Sequence, residues 1–308
     1  MGASAMTVYP IAIYANGLFQ DGFPTPSVPY TNQAAQLAQG ITTVILWSIH
    51  VYPNGDLYLN DTKFVSGGQI QFAADGKSGV NPEFPELIGQ LFESTSSVRE
   101  LHISVGGWNA TKDFTDWYAA MDAVGANLSA LKSVFGVSAV DFDFEPEDGY
   151  GAQDQAMIVA LTLQCGQLGL GVTYCPYTDE DFWIGCLTQV YAQNSQKQVV
   201  IRFNLQCYAG GAGNDPQAWG QQLQQATGTG VTDPYAFIVP GFEVLGAPEE
   251  PQSPSGMQQT FAGLAGTGVV GGFLWNSGFI WQTEVANGGV PTPAEYASAI
   301  TAGLTTTG

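Results

Sequence analysis

Residues 139–146, Ala139-Val-Asp-Phe-Asp-Phe-Glu-Pro146, alternate between acidic and apolar side chains. In an extended strand successive side chains point to opposite faces, so Asp141, Asp143 and Glu145 share one face and Val140, Phe142 and Phe144 the other. The apolar face requires a layer of helices to bury it. The three carboxyls are then forced to the opposite side, and the runs flanking this segment read as further strands rather than as a solvated edge. The acids therefore face the interior of a closed sheet.

Working outward, a short β-branched and apolar run followed by a stretch of helical spacing recurs eight times, with strands expected near residues 8–14, 42–48, 100–105, 140–145, 170–176, 199–208, 236–242 and 269–275. Helices between them are signalled by Phe84, Leu87, Ile88 and Leu91, by Met157, Ala160, Leu161 and Gln164, and by Trp219, Gln222 and Leu223. Three helix starts pair a capping residue with proline at the first helical position: Asp215-Pro216, Ser253-Pro254 and Thr292-Pro293. Eight alternations without a break in composition predict one α/β domain, a single (β/α)8 barrel over residues 1–308. An open doubly wound sheet usually has fewer strands and a glycine-rich phosphate turn after the first, and neither is seen.

One connection is long for such a barrel. Residues 49–81 follow the second strand and contain Asn54-Gly55, a two-residue hairpin signal between alternating side chains. Two readings apply to this insertion. It is decoration, or it walls a cleft on the C-terminal face with Tyr52, Tyr58 or Phe64.

Three acids at steps of about 7 Å in a confined space cannot all ionise cheaply, because burial and like charge both raise carboxyl pKa values. One of them is expected to keep its proton. Glu145 lies nearest the mouth, where Pro146 ends the strand, and a protonated carboxyl there suits a general acid. A hard cation is the competing use of the acids, but such sites usually draw carboxylates from several elements. No metal or cofactor is expected.

Composition narrows the partner. The 308 residues hold 7 Lys and Arg against 27 Asp and Glu, a formal charge of −20, which disfavours nucleic acid and anionic membranes. Charged residues are only 11% of the chain, so Gln, Asn, Ser, Thr, Gly and Tyr cover the surface, a mixture suited to a neutral, hydroxyl-rich ligand. No stretch approaches the roughly 20 apolar residues of a membrane helix, which predicts a soluble chain. Residues 1–6 lack the parts of a signal peptide and read as a remnant, either of cloning or of a removed leader. Cys165, Cys175, Cys186 and Cys207 show no zinc spacing, and buried thiols and disulfides remain alternatives. Asn60, Asn109 and Asn127 head glycosylation sequons, which matter only in a secretory eukaryotic host.

The run Asp141-x-Asp143-x-Glu145 resembles the D-x-x-D-x-D-x-E signature on the fourth strand of glycoside hydrolase family 18, the chitinases and endo-β-N-acetylglucosaminidases. Ser104-Val-Gly106-Gly107, followed by Trp108, resembles the family's S-x-G-G on the third strand. Gln206-Cys-Tyr208 resembles its Q/M-x-Y on the sixth, and Trp275 its tryptophan at the end of the last. All four occur in order, so the resemblance spans nearly the whole chain. There are departures: Ser138 and Ala139 stand where the family has Asp and Gly, and Phe144 replaces the usual aromatic before the acid, often tryptophan.

The resemblance implies a retaining, substrate-assisted hydrolase in which the sugar's acetamido oxygen attacks its own anomeric carbon. Glu145 is then the acid and base, Asp143 binds the acetamido N–H, and Asp141 shares a proton with Asp143 as a coupled pair. Tyr208 donates to the acetamido oxygen, and Trp275 floors the subsite. Gln206, Trp108, Ser104, Gly106 and Gly107 join the substrate-binding set. Alternation on the sixth strand points Arg202, Asn204, Gln206 and Tyr208 inward, where Arg202 either neutralises Asp141 or sits in a structural ion pair. Trp183 is a further candidate at the mouth, and His102 reads as a core histidine. The implied substrate is a β-1,4-linked N-acetylglucosamine polymer, with the chitobiose core of N-glycans as alternative, and the protein is expected to be monomeric and secreted. Gln206 favours the polymer reading, because glycan-cleaving relatives often carry asparagine there. A non-catalytic lectin on the same barrel is the reading from another class, and the retained Glu145 argues against it.

Overall fold

The computed structural model describes residues 8–20, 28–282 and 291–306, so the N-terminal hexapeptide lies outside the described residues. In chain order the strands are β1 (Ile11–Asn16), β2 (Thr43–Val51), β3 (Leu57–Leu59), β4 (Thr62–Ser66), β5 (Gln69–Ile70), β6 (Glu100–Gly106), β7 (Ala139–Asp143), β8 (Gly171–Tyr174), β9 (Val200–Gln206), β10 (Ile238–Glu243) and β11 (Gly272–Trp275). The helices are α1 (Tyr30–Leu37), α2 (Phe84–Gln90), α3 (Thr111–Ala119), α4 (Met121–Phe135), α5 (Ala152–Gln167), α6 (Glu180–Gln193), α7 (Pro216–Gln225), α8 (Pro254–Gly263), α9 (Ser277–Gln282) and α10 (Pro293–Leu304). Eight strands close a parallel ring in the order β1-β2-β6-β7-β8-β9-β10-β11, with β11 returning to β1. This is a (β/α)8 barrel, and the eight strands are those expected from periodicity.

Two apolar layers hold it together. Outside the ring, the strands' outward faces meet the helices: Phe142 of β7 packs on Phe114 and Trp117 of α3 at 5.5 and 5.3 Å between ring centres. Inside, a smaller cluster of Ala12, Tyr14, Ile45, Cys175, Tyr208, Val239 and Phe273 fills the barrel toward its mouth. Removing this much apolar surface from water is the main driving term, at about 25 cal/mol per Å². The helix starts behave as their sequences require. Asp215, Ser253 and Thr292 accept from the backbone N–H of Gln217, Gly256 and Glu295, and a proline follows each cap.

The insertion adds β3, β4 and β5 as an antiparallel extension of β2. Its turn is not the two-residue type expected from Asn54-Gly55. Tyr52 N–H donates to Asp56 O at 3.0 Å across a three-residue loop, residues 53–55, with Gly55 at φ +82° supplying the left-handed position. Phe64 is no cleft wall; it is fully buried and packs on Phe84 and Phe135 at 5.5 and 5.6 Å, fastening the insertion to α2 and α4. Asn127 of α4 completes that attachment, accepting from Gly68 N–H and donating to Gly55 O, so its amide is buried and occupied rather than open to glycosylation. Tyr52 stays half exposed and stacks on Tyr58 at 4.1 Å.

Candidate active site

β7 ends at Asp143, two residues before the expected limit, because Asp143 O is taken by Gly107 N–H at 2.7 Å and the chain then leaves the ladder toward Pro146. Glu145 therefore stands above the sheet at the mouth, while Phe144 turns outward onto Phe114 at 5.0 Å. The close approach of β6 to β7 explains the two glycines. Gly106 has φ +101°, and a Cβ there would lie 2.2 Å from Asp143 O. Gly107 has φ +113°, with its Cβ position 3.5 Å from an Asp143 carboxyl oxygen and 3.3 Å from the Trp47 ring. Any side chain at Gly106 pushes Asp143 out of place.

Asp141 is fully buried and accepts from four donors on four different strands: Tyr14 Oη and Ser104 Oγ at 2.8 Å, Asn204 Nδ2 at 2.9 Å, and Thr173 Oγ1. A carboxylate offers about four lone-pair positions, so this set saturates it. Burial raises its pKa from the ordinary 3.8, against the pull of those hydrogen bonds. Ser104 is itself fully buried and reaches the site through Asp141.

Asp143 is 2% exposed. Burial first, then the charges of Glu145 and Asp141, push its carboxyl well above the ordinary range. Of the two buried aspartates, the stronger upward push falls on Asp143. Gln206 Nε2 donates to Asp143 Oδ1 at 3.0 Å and to Glu145 Oε1 at 2.9 Å, holding the two carboxyls together from β9. Asn214 Nδ2 in turn donates to Gln206 O at 2.7 Å, tying the strand end to its following loop.

Over this ladder lies an aromatic floor. Trp275 meets Trp47 at 4.9 Å, Tyr14 at 5.3 Å and Tyr208 at 5.8 Å, the last nearly parallel at 19°. Tyr208 is 4% exposed, and burial raises its phenol well above 10, so the hydroxyl stays a donor at any working pH. Trp108 is 82% exposed on the loop after β6, a free indole at the rim.

Several expected placements differ. Trp183 is fully buried against Tyr174 at 4.9 Å, on the helical side of β8, because α6 needs that face for packing. Of the two readings of Arg202, the structural ion pair holds and the contact with Asp141 does not. Arg202 pairs with Glu100 at the opposite end of the barrel and lies 5.6 Å from the Tyr9 ring centre. His102 is buried there too, 3.4 Å from the Glu100 carboxylate. All four cysteines are free, buried thiols.

Some site residues were missed in the sequence. Glu243 is 2% exposed, aligned with Trp275 across the β10–β11 ladder, and its Oε2 accepts from Glu250 N–H at 2.5 Å. Alternation with Val239 and Gly241 could have found it, had the strand been carried one residue past Phe242. Tyr14 and Cys175 line the same interior, and no local motif marks them. Ser48, His50 and Asp113 form a chain beside the mouth, with Ser48 Oγ to His50 Nε2 at 3.0 Å and His50 Nδ1 to Asp113 Oδ2 at 2.9 Å. Among the described residues, no group of three or more His, Cys, Asp or Glu side chains is arranged to hold a metal ion. No helix among them is long and apolar enough to cross a membrane.

No protein-family model matches the chain, and no curated protein matches it in sequence. Solved structures do match in shape. The catalytic domain of a family GH18 chitinase from the fern Peteris ryukyuensis aligns over 96% of this chain and 99% of its own, with TM-score 0.57 and 17% identity. A class V chitinase from Pseudomonas fluorescens covers 96% of this chain and 100% of its own, at TM-score 0.58 and 14% identity. The group IV chitinase of Ostrinia furnacalis, solved with allosamidin, covers 96% and 97%, at TM-score 0.58 and 10% identity. Over nearly its whole length, then, the chain shares its fold with GH18 chitinases of plant, bacterial and insect origin.

Proposed function

We propose that the protein is a retaining, substrate-assisted glycoside hydrolase of β-1,4-linked N-acetylglucosamine polymers, acting as a secreted monomer without metal or cofactor. The observation that carries this reading is the Gln206 bridge between Asp143 and Glu145, set over a saturated Asp141 and beside the Trp275 floor. In this reading Glu145 protonates the leaving glycosidic oxygen and then activates water on the return step. Asp143 accepts the acetamido N–H and balances the positive charge that develops on the oxazolinium ring. Tyr208, held as a neutral phenol, donates to the acetamido oxygen as it attacks the anomeric carbon. Trp275 meets the apolar face of that sugar, and Trp108 a neighbouring unit.

Glu145→Gln tests the reading, because it keeps size and hydrogen bonding but removes the transferable proton. Turnover of N-acetylglucosamine oligomers is expected to fall by about 1,000-fold or more, while oligomer binding by calorimetry stays within a few-fold. Release of product only from a high-mannose glycoprotein would move the substrate to the chitobiose core. Binding without turnover in the unaltered protein would leave a carbohydrate-binding barrel in place of an enzyme.

A further inference from the structure

Ser48 and His50 stand two positions apart on β2, so alternation turns both to one face while Ile49 and Val51 are buried on the other. Ser48 Oγ lies 3.0 Å from His50 Nε2, and His50 Nδ1 lies 2.9 Å from Asp113 Oδ2. The two ring nitrogens are thus used in the order that a nucleophile, a base and an orienting carboxylate require. Asp113 stands in the first turn of α3, and its second oxygen accepts from Val51 N–H at 3.0 Å, which fixes the carboxylate against the strand that carries the other two groups. With a carboxylate at Nδ1, the neutral imidazole keeps its proton there and turns the Nε2 lone pair toward the serine. Among the described residues, Ser48 Oγ has no hydrogen-bond partner besides His50. The Ser48 N–H is held only by Asn60 Oδ1 at 3.4 Å, long for such a bond, which leaves it available to an acyl oxygen that turns negative. None of these three side chains has a part in glycosidic bond cleavage.

We propose that Ser48, His50 and Asp113 form a second catalytic site, which hydrolyses short O-acyl esters carried on carbohydrate hydroxyls. Ser48 Oγ attacks the ester carbonyl carbon as its proton passes to His50 Nε2, and the ester C–O bond breaks with that proton delivered to the departing sugar oxygen. Water then attacks the acyl-serine, gives a proton to Nε2 and displaces Oγ, which takes the proton back. One ester and one water become one carboxylic acid and one alcohol, and the serine and imidazole end as they began. Asp113 is the positioning residue, since it holds the ring and balances the imidazolium that forms in each step. Ser48 is 3% exposed, so its approach admits an acetyl group and not a long acyl chain. Trp47 directly precedes Ser48 and packs on Trp275 at 4.9 Å, which places the serine beside the aromatic floor assigned to the sugar. The formal charge of −20 favours a neutral carrier over an acidic one. The choice of carrier rests on the proposed function, and the serine chemistry does not.

Two measurements on the full chain test the site. A fluorophosphonate, which bonds covalently to activated serines, is expected to leave one adduct, placed at Ser48 by peptide mass spectrometry. This labelling needs no variant, so it stays readable even where a substitution impairs folding. Acetate release from O-acetylated N-acetylglucosamine oligomers is expected to fall to the uncatalysed background in Ser48→Ala and to persist in Glu145→Gln. Asp113→Asn keeps the acceptor for Val51 N–H but presents an amide N–H to Nδ1, and is expected to lower kcat for acetate release about 100-fold or more with KM within about twofold. A loss of packing alone would instead show in the urea midpoint, measured alongside. Absence of either the Ser48 adduct or acetate release in the unaltered protein overturns the proposal, and so does release that survives Ser48→Ala in the folded protein. A protein that releases acetate through Ser48 but cleaves no glycosidic bond retains this site and loses the proposed function; one that cleaves the glycan and releases no acetate does the reverse.

Discussion

The two ends of the barrel interior treat their acids, one partly buried and two fully, in opposite ways. At the N-terminal end Glu100 faces a cation: it pairs with Arg202, lies 3.4 Å from His102 and accepts from Thr43 Oγ1 at 3.0 Å. Burial alone would raise its carboxyl, but His102 and Arg202 outweigh that and hold it well below the ordinary 4.5. Toward the mouth, Asp141 meets hydroxyls and an amide, Asp143 meets an amide and feels the charges of Glu145 and Asp141, no cation faces either, and both are pushed up. The same residue class, on neighbouring strands of one ring, is thus locked as an anion at one end and left free to hold a proton at the other. The difference teaches how the proposed chemistry is kept apart from stability: a guanidinium at the mouth would fix the charge that the proposed proton transfer requires to be movable.

Making the mouth resemble the bottom is the most disruptive change. Gln206→Lys places an ammonium between Asp143 and Glu145, and is expected to pull the Asp143 titration down and cut turnover by about 100-fold or more. Carboxyl-carbon NMR and initial rates on oligomers measure the two effects; an Asp143 titration that stays put would show that neutral partners are not what raises it.

The converse change makes the bottom resemble the mouth. Arg202→Gln leaves Glu100 without its guanidinium and is expected to cost about 2 kcal/mol at neutral pH by urea unfolding. The sign with pH follows from the depressed carboxyl. Its contribution is complete above the unfolded value near 4.5 and is lost only as pH falls through the lower folded value. In Arg202→Gln the folded value rises, so the loss on acidification starts at higher pH. Equal acid sensitivity in the two proteins would mean that Arg202 does not set the Glu100 charge.

The smallest effect concerns the rim. The hydrogen bond to Asp113 raises the His50 pKa above 6.5, with burial opposing. A raised folded value means stability that is complete below 6.5 and lost as pH rises through the folded value. A modest drop in the urea midpoint is expected over that window, and His50→Asn should flatten it. A drop unchanged in His50→Asn assigns it to another group.

Much of the site was legible because its information is local. The acid ladder, the S-x-G-G turn and the Gln206-x-Tyr208 pair each declare themselves within a few residues, and the strand period turns that into a facing direction. Arg202 shows the limit of the method. Alternation correctly turned it inward, but its depth along the barrel depends on β9 pairing with β8 and β10, and at that depth the partner is Glu100 rather than Asp141. Trp183 and Phe64 failed for a related reason: an aromatic near a mouth-side segment reads the same whether it faces a cleft or a helix, and packing decides between them.

The sequence by itself determined the eight-fold alternation, the face on which each strand carries its polar residues, and the column of carboxyls ending at Glu145. These follow from the two-residue period of a strand and the apolar spacing of helices, which need no partner. Only the tertiary structure decided which groups from β1, β6, β8 and β9 converge on Asp141, and that Gln206 of β9 bridges Asp143 and Glu145. Those contacts depend on strand register around a closed ring, and register is set by pairing between separate segments, from Ala12 with Thr43 on neighbouring strands to Ile11 with Gly272 where the ring closes.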